Sequence, residues 1–178
     1  YLEDGEVAEI TQDRMDTFNL KDEAITKCVE ELEWNDEQAE KQGFDHFMLK
    51  EIFDQPTVFE DAIRGRYNLQ EGTAHLGGLN MSDEDMLRVD RIILIACGTA
   101  SYAGMVAQYA FERLAGIPTR VEVASEFRYS DPIIDDRTLV FGISQSGETA
   151  DTLAALREAK RKGAYVRGIV NVVGSTIA

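Results

Sequence analysis

Leu139-Val140-Phe141-Gly142-Ile143-Ser144-Gln145-Ser146-Gly147-Glu148-Thr149 is the stretch that decides the fold. Its first five residues form a short, continuous apolar run, the pattern of a strand covered on both faces. The six that follow combine serine, glycine and threonine and lead into a segment with amphipathic helical spacing. A strand, a turn and a helix in that order leave the helix's unpaired N–H groups and positive dipole end facing the loop, where anions collect. Ser144, Ser146, Thr149 and the Gln145 amide add neutral side-chain donors, which suit a phosphomonoester on a small molecule. Ser/Thr/Gly clusters between a strand and a helix are also ordinary capping loops, and the loop by itself leaves both readings open. It has no Gly-Lys-Ser/Thr of a Walker A loop, and Gly142-Ile143-Ser144-Gln145-Ser146 has serine where a hydrolase elbow wants its second glycine.

Upstream, Ile92-Ile93-Leu94-Ile95-Ala96 is a second such run, followed by a loop, Cys97-Gly98-Thr99-Ala100-Ser101. Met105, Val106, Tyr109, Ala110, Arg113 and Leu114 then recur at helical spacing until Gly116-Ile117-Pro118 stops the helix. Thr119 to Ala124 reads as a strand, Ser125 to Tyr129 as a turn or short helix, and Asp131-Pro132 as a break. Downstream of the opening stretch, Thr152, Leu153, Ala155, Leu156 and Ala159 give a helix its apolar face. Lys160-Arg161-Lys162 complements its dipole, Gly163 closes it, and Tyr165 to Val170 is a fourth strand. Strands alternating with helices at this spacing predict an α/β fold, a doubly wound parallel sheet with ligands at the carboxyl ends of the strands. Thr99 and the Ser144–Thr149 loop both fall at such ends. Gly98 and Gly104 lie six apart with no Gly-x-Gly-x-x-Gly, which disfavours a dinucleotide fold.

The first ninety residues differ in kind. They hold 24 acidic and 8 basic residues against 9 and 10 in the remainder, and account for the net charge of −15. That balance disfavours nucleic acid or an anionic membrane as a partner, while the nearly neutral second half suits an anionic ligand. Glu6–Thr11 and Arg14–Asn19 predict a β-hairpin turning near Gln12-Asp13. Ala24 to Trp34 fits either a helix or a strand by spacing, and we read it as extended. Glu37 to Gly43 is linker-like, His46 to Arg64 predicts a helix broken near Pro56, and Asn68 to Gly78 is a polar loop.

At 178 residues and 44% hydrophobic content the chain can hold one full core. No apolar run reaches transmembrane length, and residues 1–5 show no signal-peptide pattern. An opening Tyr1 in place of methionine leads us to expect a piece of a longer protein. Two cysteines, Cys28 and Cys97, are too few for a disulfide framework and fit a reducing cytoplasm. Cys97 reads as a small strand-end residue rather than a nucleophile. His46 and His75 form no metal-binding spacing with the cysteines.

Taken together, Ala96-Cys97-Gly98-Thr99, Gly104-Met105-Val106, Glu122 to Tyr129 and Ser144 to Leu153 resemble the glutamine–fructose-6-phosphate aminotransferase family. His46 to Ile52, Asp54-Gln55-Pro56 and Leu2 to Thr11 extend the likeness over nearly the whole chain. The resemblance implies a glutaminase domain ending near residue 20, an interdomain linker to about residue 45, and a helical lead-in over 46–90. A first sugar-isomerase, or SIS, domain would follow from 91 onward and be cut short. It implies substrate contacts from Ser144, Gln145, Ser146 and Thr149 to phosphate, with Thr99 near the sugar, and fructose 6-phosphate or glucosamine 6-phosphate as ligand. It further implies a cytoplasmic homodimer with no metal or organic cofactor. The family's glutaminase cysteine and its isomerase glutamate, histidine and lysine fall outside the chain, so no catalytic residue is assigned and the chain alone is expected to be inactive. Where many members have serine after Cys-Gly-Thr, this chain has Ala100. A backbone N–H or Ser101 is expected to replace the missing donor. A sheet stopped at its fourth strand is expected to leave an open edge and an uncovered helix face, with self-association or instability as the result. The alternative from another class is a non-catalytic SIS module that senses a phosphosugar.

Overall fold

The computed structural model describes residues 2–27 and 40–178. The chain divides into two compact units, Tyr1–Gly72 and Thr73–Ala178.

In the first unit β1 (Glu6–Ile10) pairs antiparallel with β2 (Met15–Asn19), Ala8 opposite Thr17. The turn closes where the Thr11 N–H donates to the Arg14 carbonyl at 2.8 Å. The following segment lies along β2: Ala24 bridges Phe18 antiparallel, and the buried Thr17 hydroxyl donates to the Ile25 carbonyl at 2.6 Å. The extended reading holds that far, and Cys28 to Trp34 lie outside the described residues. Helix α1 (Phe47–Ile63) corrects the expected break at Pro56, because it runs through that residue. Proline withdraws the N–H that would bond the Ile52 carbonyl. Both residues are exposed here, so the Ile52 carbonyl is open to solvent and the lost donor costs little.

The first α-helix of the second unit is α2 (Asp83–Arg88), started by a capping box in which Ser82 and Asp85 bond each other's backbone N–H groups. Strands β3 (Arg91–Ala96), β4 (Thr119–Val123), β5 (Thr138–Ser144) and β6 (Tyr165–Val170) form a parallel sheet in the order β4-β3-β5-β6. The predicted strands are all present, and the doubly wound class holds. Side chains of β3 alternate between two cores. Ile93 and Ile95 face Phe127, Val140, Ala155, Leu156 and Ala159, contributed by α4 (Ala124–Phe127), β5 and α5 (Ala150–Arg161). Ile92 and Leu94 face Ala107 of α3 (Thr99–Ala110), together with Phe111, Val121 and Phe141. At Gly142 the helix α5 comes so near the sheet that a Cβ would stand 2.5 Å from Leu156 Cδ1.

Two details were not expected. Helix α3 starts at Thr99, inside the predicted loop, and it ends in a π-helical turn, Phe111–Ala115, before Gly116. Phe111, the first residue of that turn, stacks on Phe141 with ring centroids 6.4 Å apart.

Tyr165 of β6 donates its hydroxyl to Asp85 at 3.0 Å and ties α2 to the edge of the sheet. The Ser82 hydroxyl, then the Tyr165 hydroxyl and the Ser82 N–H, hold the Asp85 carboxyl below its ordinary value. A carboxylate depressed in the fold contributes stability above its unfolded value near 4 and loses it as pH falls through the lower folded value. Asp85→Asn is therefore expected to flatten the fall of Tm with pH below about 4, read by thermal melts across that range.

Candidate functional site

In the order β4-β3-β5-β6 the chain steps from β3 outward to β4, then crosses back to the other side of β3 for β5. The crevice between the carboxyl ends of β3 and β5 is thus the topological switch point, where an open α/β sheet binds its ligands. Ala96 pairs with Ile143, so the loops leaving these two strands start side by side. One carries Cys97, Gly98 and Thr99; the other carries Ser144, Gln145, Ser146, Gly147, Glu148 and Thr149. The sequence-predicted residues Thr99, Ser144, Gln145, Ser146 and Thr149 all fall on this pair of loops.

The β5 loop is organised by its own hydroxyls. Ser144 Oγ accepts the Gly147 N–H at 3.1 Å and stands 3.1 Å from Thr149 Oγ1. Ser146 Oγ accepts the Glu148 N–H at 3.2 Å. An oxygen that accepts a backbone donor keeps its own proton to give, so Ser146 remains a donor towards an anion. Thr149 is the N-cap of α5, yet its side chain makes no capping bond. The first i→i−4 bond of that helix runs from the Leu153 N–H to the Thr149 carbonyl at 2.9 Å, which leaves the amides of Ala150, Asp151 and Thr152 without intrahelical partners. Gln145 and Ser146 are exposed, and Ser144 is buried at the strand end. The arrangement can donate several hydrogen bonds to one oxyanion at the positive end of a twelve-residue helix.

Across the crevice, Thr99 is exposed at the first turn of α3, after the N-cap Gly98. Of the two donors expected to stand in at Ala100, a backbone N–H or Ser101, the structure gives Ser101 another partner. Ser101 is buried and its hydroxyl donates to the Gly98 carbonyl at 2.6 Å, so it closes the start of the helix. Cys97 is half-buried beneath α5, its Sγ 4.0 Å from the hydroxyl of the fully buried Thr152. Among the described residues no group of three or more His, Cys, Asp or Glu side chains could hold a metal ion, and no helix is long and apolar enough to cross a membrane.

A third loop, missed from sequence, borders the second. Ser144 pairs with Val170, so the residues after β6 run beside the β5 loop. The Asn171 N–H donates to the Gln145 carbonyl at 3.3 Å and the Ile177 N–H to the Gly147 carbonyl at 3.1 Å. Both Glu148 carboxylate oxygens are taken by Thr176, one by its N–H at 2.7 Å and one by its hydroxyl at 2.6 Å. Those two bonds, the hydroxyl's first, hold the Glu148 carboxyl below its ordinary value against the opposing effect of burial. The signal for this loop was its place at another carboxyl strand end.

Comparison with known proteins follows the same lines. The SIS domain family matches residues 85–178. Glutamine–fructose-6-phosphate aminotransferase (isomerizing) from Chlorobaculum tepidum is 51% identical over 99% of this chain, and the enzyme of that name from Thermus thermophilus is 50% identical over the same share. The chain spans about 29% of the length of these relatives. Among solved structures, the C-terminal domain of glucosamine-fructose-6-phosphate aminotransferase from Francisella tularensis is similar at a TM-score of 0.68. It is 40% identical, and the match covers 78% of this chain and 38% of that one.

Proposed function

The chain belongs to the SIS domain family, and from that premise we propose that it is the sugar-phosphate-binding part of an enzyme that makes glucosamine 6-phosphate and glutamate from fructose 6-phosphate and glutamine. The observation that carries the reading is the pairing of Ala96 with Ile143, which brings Thr99 beside the Ser144–Thr149 loop at the switch point. The relatives with that activity named above, alike over 99% of the chain, support it.

In this reading Ser144, Gln145, Ser146 and Thr149 hold the phosphate together with the first amides of α5, and Thr99 approaches the sugar. Residues 1–45 close a glutaminase domain and lead into the linker, 46–90 lead into the isomerase half, and 91–178 belong to its first SIS domain. Ring opening, amination at C2 and aldose–ketose isomerisation need a proton-transferring group and a substrate held in fixed register. The five residues supply the register. None of them is an acid or base near neutral pH, so the proton transfers fall to other groups. A cytoplasmic homodimer is part of the same proposal, and light scattering on the whole protein checks the dimer.

Calorimetric titration of the whole protein with fructose 6-phosphate and glucosamine 6-phosphate tests the assignment, with fructose and inorganic phosphate as controls. Ser146→Ala combined with Thr149→Ala removes two hydroxyls from a charged acceptor. At about 1.5–3 kcal/mol for each such bond, Kd is expected to rise by about a hundredfold or more. Because Thr149 makes no capping bond, helix α5 should survive the change. A double variant that binds phosphosugar as tightly as the parent sinks the assignment.

A further inference from the structure

A carboxylate is out of place in a loop of neutral donors that is to hold an anion. Glu148 is next to Thr149 and two residues from Ser146, yet neither of its oxygens is free to meet a ligand. Both are spent on Thr176, 28 residues further along the chain. The bonds that accompany them also run between the same two loops, from Asn171 to Gln145 and from Ile177 to Gly147. Behind Gly147 the space is filled by Ser175, which is 5% exposed and whose hydroxyl has no partner.

We propose that Glu148 is a positioning residue for the anion loop: clasped by Thr176, it fixes the loop after β5 against the loop after β6 and turns its own negative charge away from the ligand. The inference rests on the phosphosugar reading above and extends it to a residue that touches no substrate. Its logic is geometric. Ser144 and Ser146 already accept the N–H groups of Gly147 and Glu148, so the directions of their hydroxyls follow the backbone at those two residues. Ile177 holds that backbone at the Gly147 carbonyl, and Thr176 holds it through the Glu148 side chain. Releasing the clasp lets the loop relax and sets a carboxylate free beside the phosphate, and both changes weaken binding. The lowered Glu148 carboxyl is consistent with a group kept charged and fully bonded.

The test uses the whole protein with Glu148→Ala, Thr176→Val and Thr176→Ser, and two readouts. In steady-state kinetics KM for fructose 6-phosphate is expected to rise about tenfold in Glu148→Ala and by less, about threefold, in Thr176→Val, which loses the hydroxyl bond to Glu148 but keeps the N–H bond, while kcat changes less than about twofold. Thr176→Ser, which keeps the hydroxyl, should restore the parent value. The combination of Glu148→Ala with Thr176→Val should cost no more than the worse single change, because both break one clasp. Unchanged or lower KM in Glu148→Ala overturns the proposal, since loss of an idle carboxylate beside an anion would tighten binding.

The second readout needs no ligand. In Glu148→Ala, which removes both bonds, the amide of Gly147 should exchange hydrogen faster, with those of β3 and β5 unaltered. Unaltered exchange at Gly147 overturns the clasp whether or not phosphosugars bind. A parent protein that shows the clasp by exchange but binds no phosphosugar would instead overturn the reading of the site.

Discussion

Gly147→Ala is expected to cost the protein its affinity for phosphosugars, with Kd rising by about a hundredfold or more. Two independent effects act at this position. Gly147 has φ of 68°, where a side chain costs about 1–2 kcal/mol. A Cβ built there would also lie 1.9 Å from Ser175 Oγ and 2.5 Å from Ser175 Cβ. Ser175 is buried and cannot swing into solvent, so the segment that carries it has to move and takes Thr176 with it. The damage therefore spreads from one methyl group to the contacts that shape the anion loop. Calorimetric titration reads the loss. Adding Ser175→Gly deletes both clashing atoms and should recover part of the affinity, leaving only the backbone strain. Parent-like binding by Gly147→Ala alone would mean that the loop does not need this geometry.

The second large effect is on stability. Leu94 is fully buried at the middle of β3, with Val121 of β4 on one side and Phe141 of β5 on the other. Leu94→Ala leaves a cavity between the sheet and α3, and such truncations cost about 2–5 kcal/mol. For a unit of this size Tm should fall by about 8–40 °C, on the order of 4–8 °C for each kcal/mol. Circular-dichroism melts check it. A fall of only a few degrees would show that the core closes over the gap.

How far the sequence could be read depended on how local the physics was. The strands of the sheet were legible because Ile92–Ala96 and Leu139–Ile143 are apolar at every position, as burial on two faces demands. Strand β6 was legible by length and by the Gly163 stop before it. The start of α3 was not, because Gly98 caps it without a side-chain bond and leaves no polar signature at the boundary. The π turn after it was equally silent: Phe111 to Ala115 satisfies an α-helical pattern as well as it satisfies the wider turn. Pro56 misled for the opposite reason, since its local penalty is real but exposed backbone absorbs it.

At the site, the Ser144–Thr149 loop was visible because strand, loop and helix are contiguous in the chain. The meeting of Glu148 with Thr176 was invisible because it depends on the parallel register of β5 and β6, with Ser144 opposite Val170. Ser101 shows the limit from the other side. A hydroxyl near a predicted site looks like a donor to a ligand until the Gly98 carbonyl is found to use it.

The strand order has a consequence for how the protein is made. Strand β3 leaves the ribosome with the most apolar run of the sheet, and its partner on one side, β5, is complete only roughly fifty residues later. At ~5–20 residues per second that interval lasts roughly 2–10 s. During it β4 can pair along one edge of β3, while the other edge stays bare. The nascent chain is then most open to misassociation, and slowing elongation between Ala124 and Thr138 should lower the yield of soluble protein more than slowing it after Ser144.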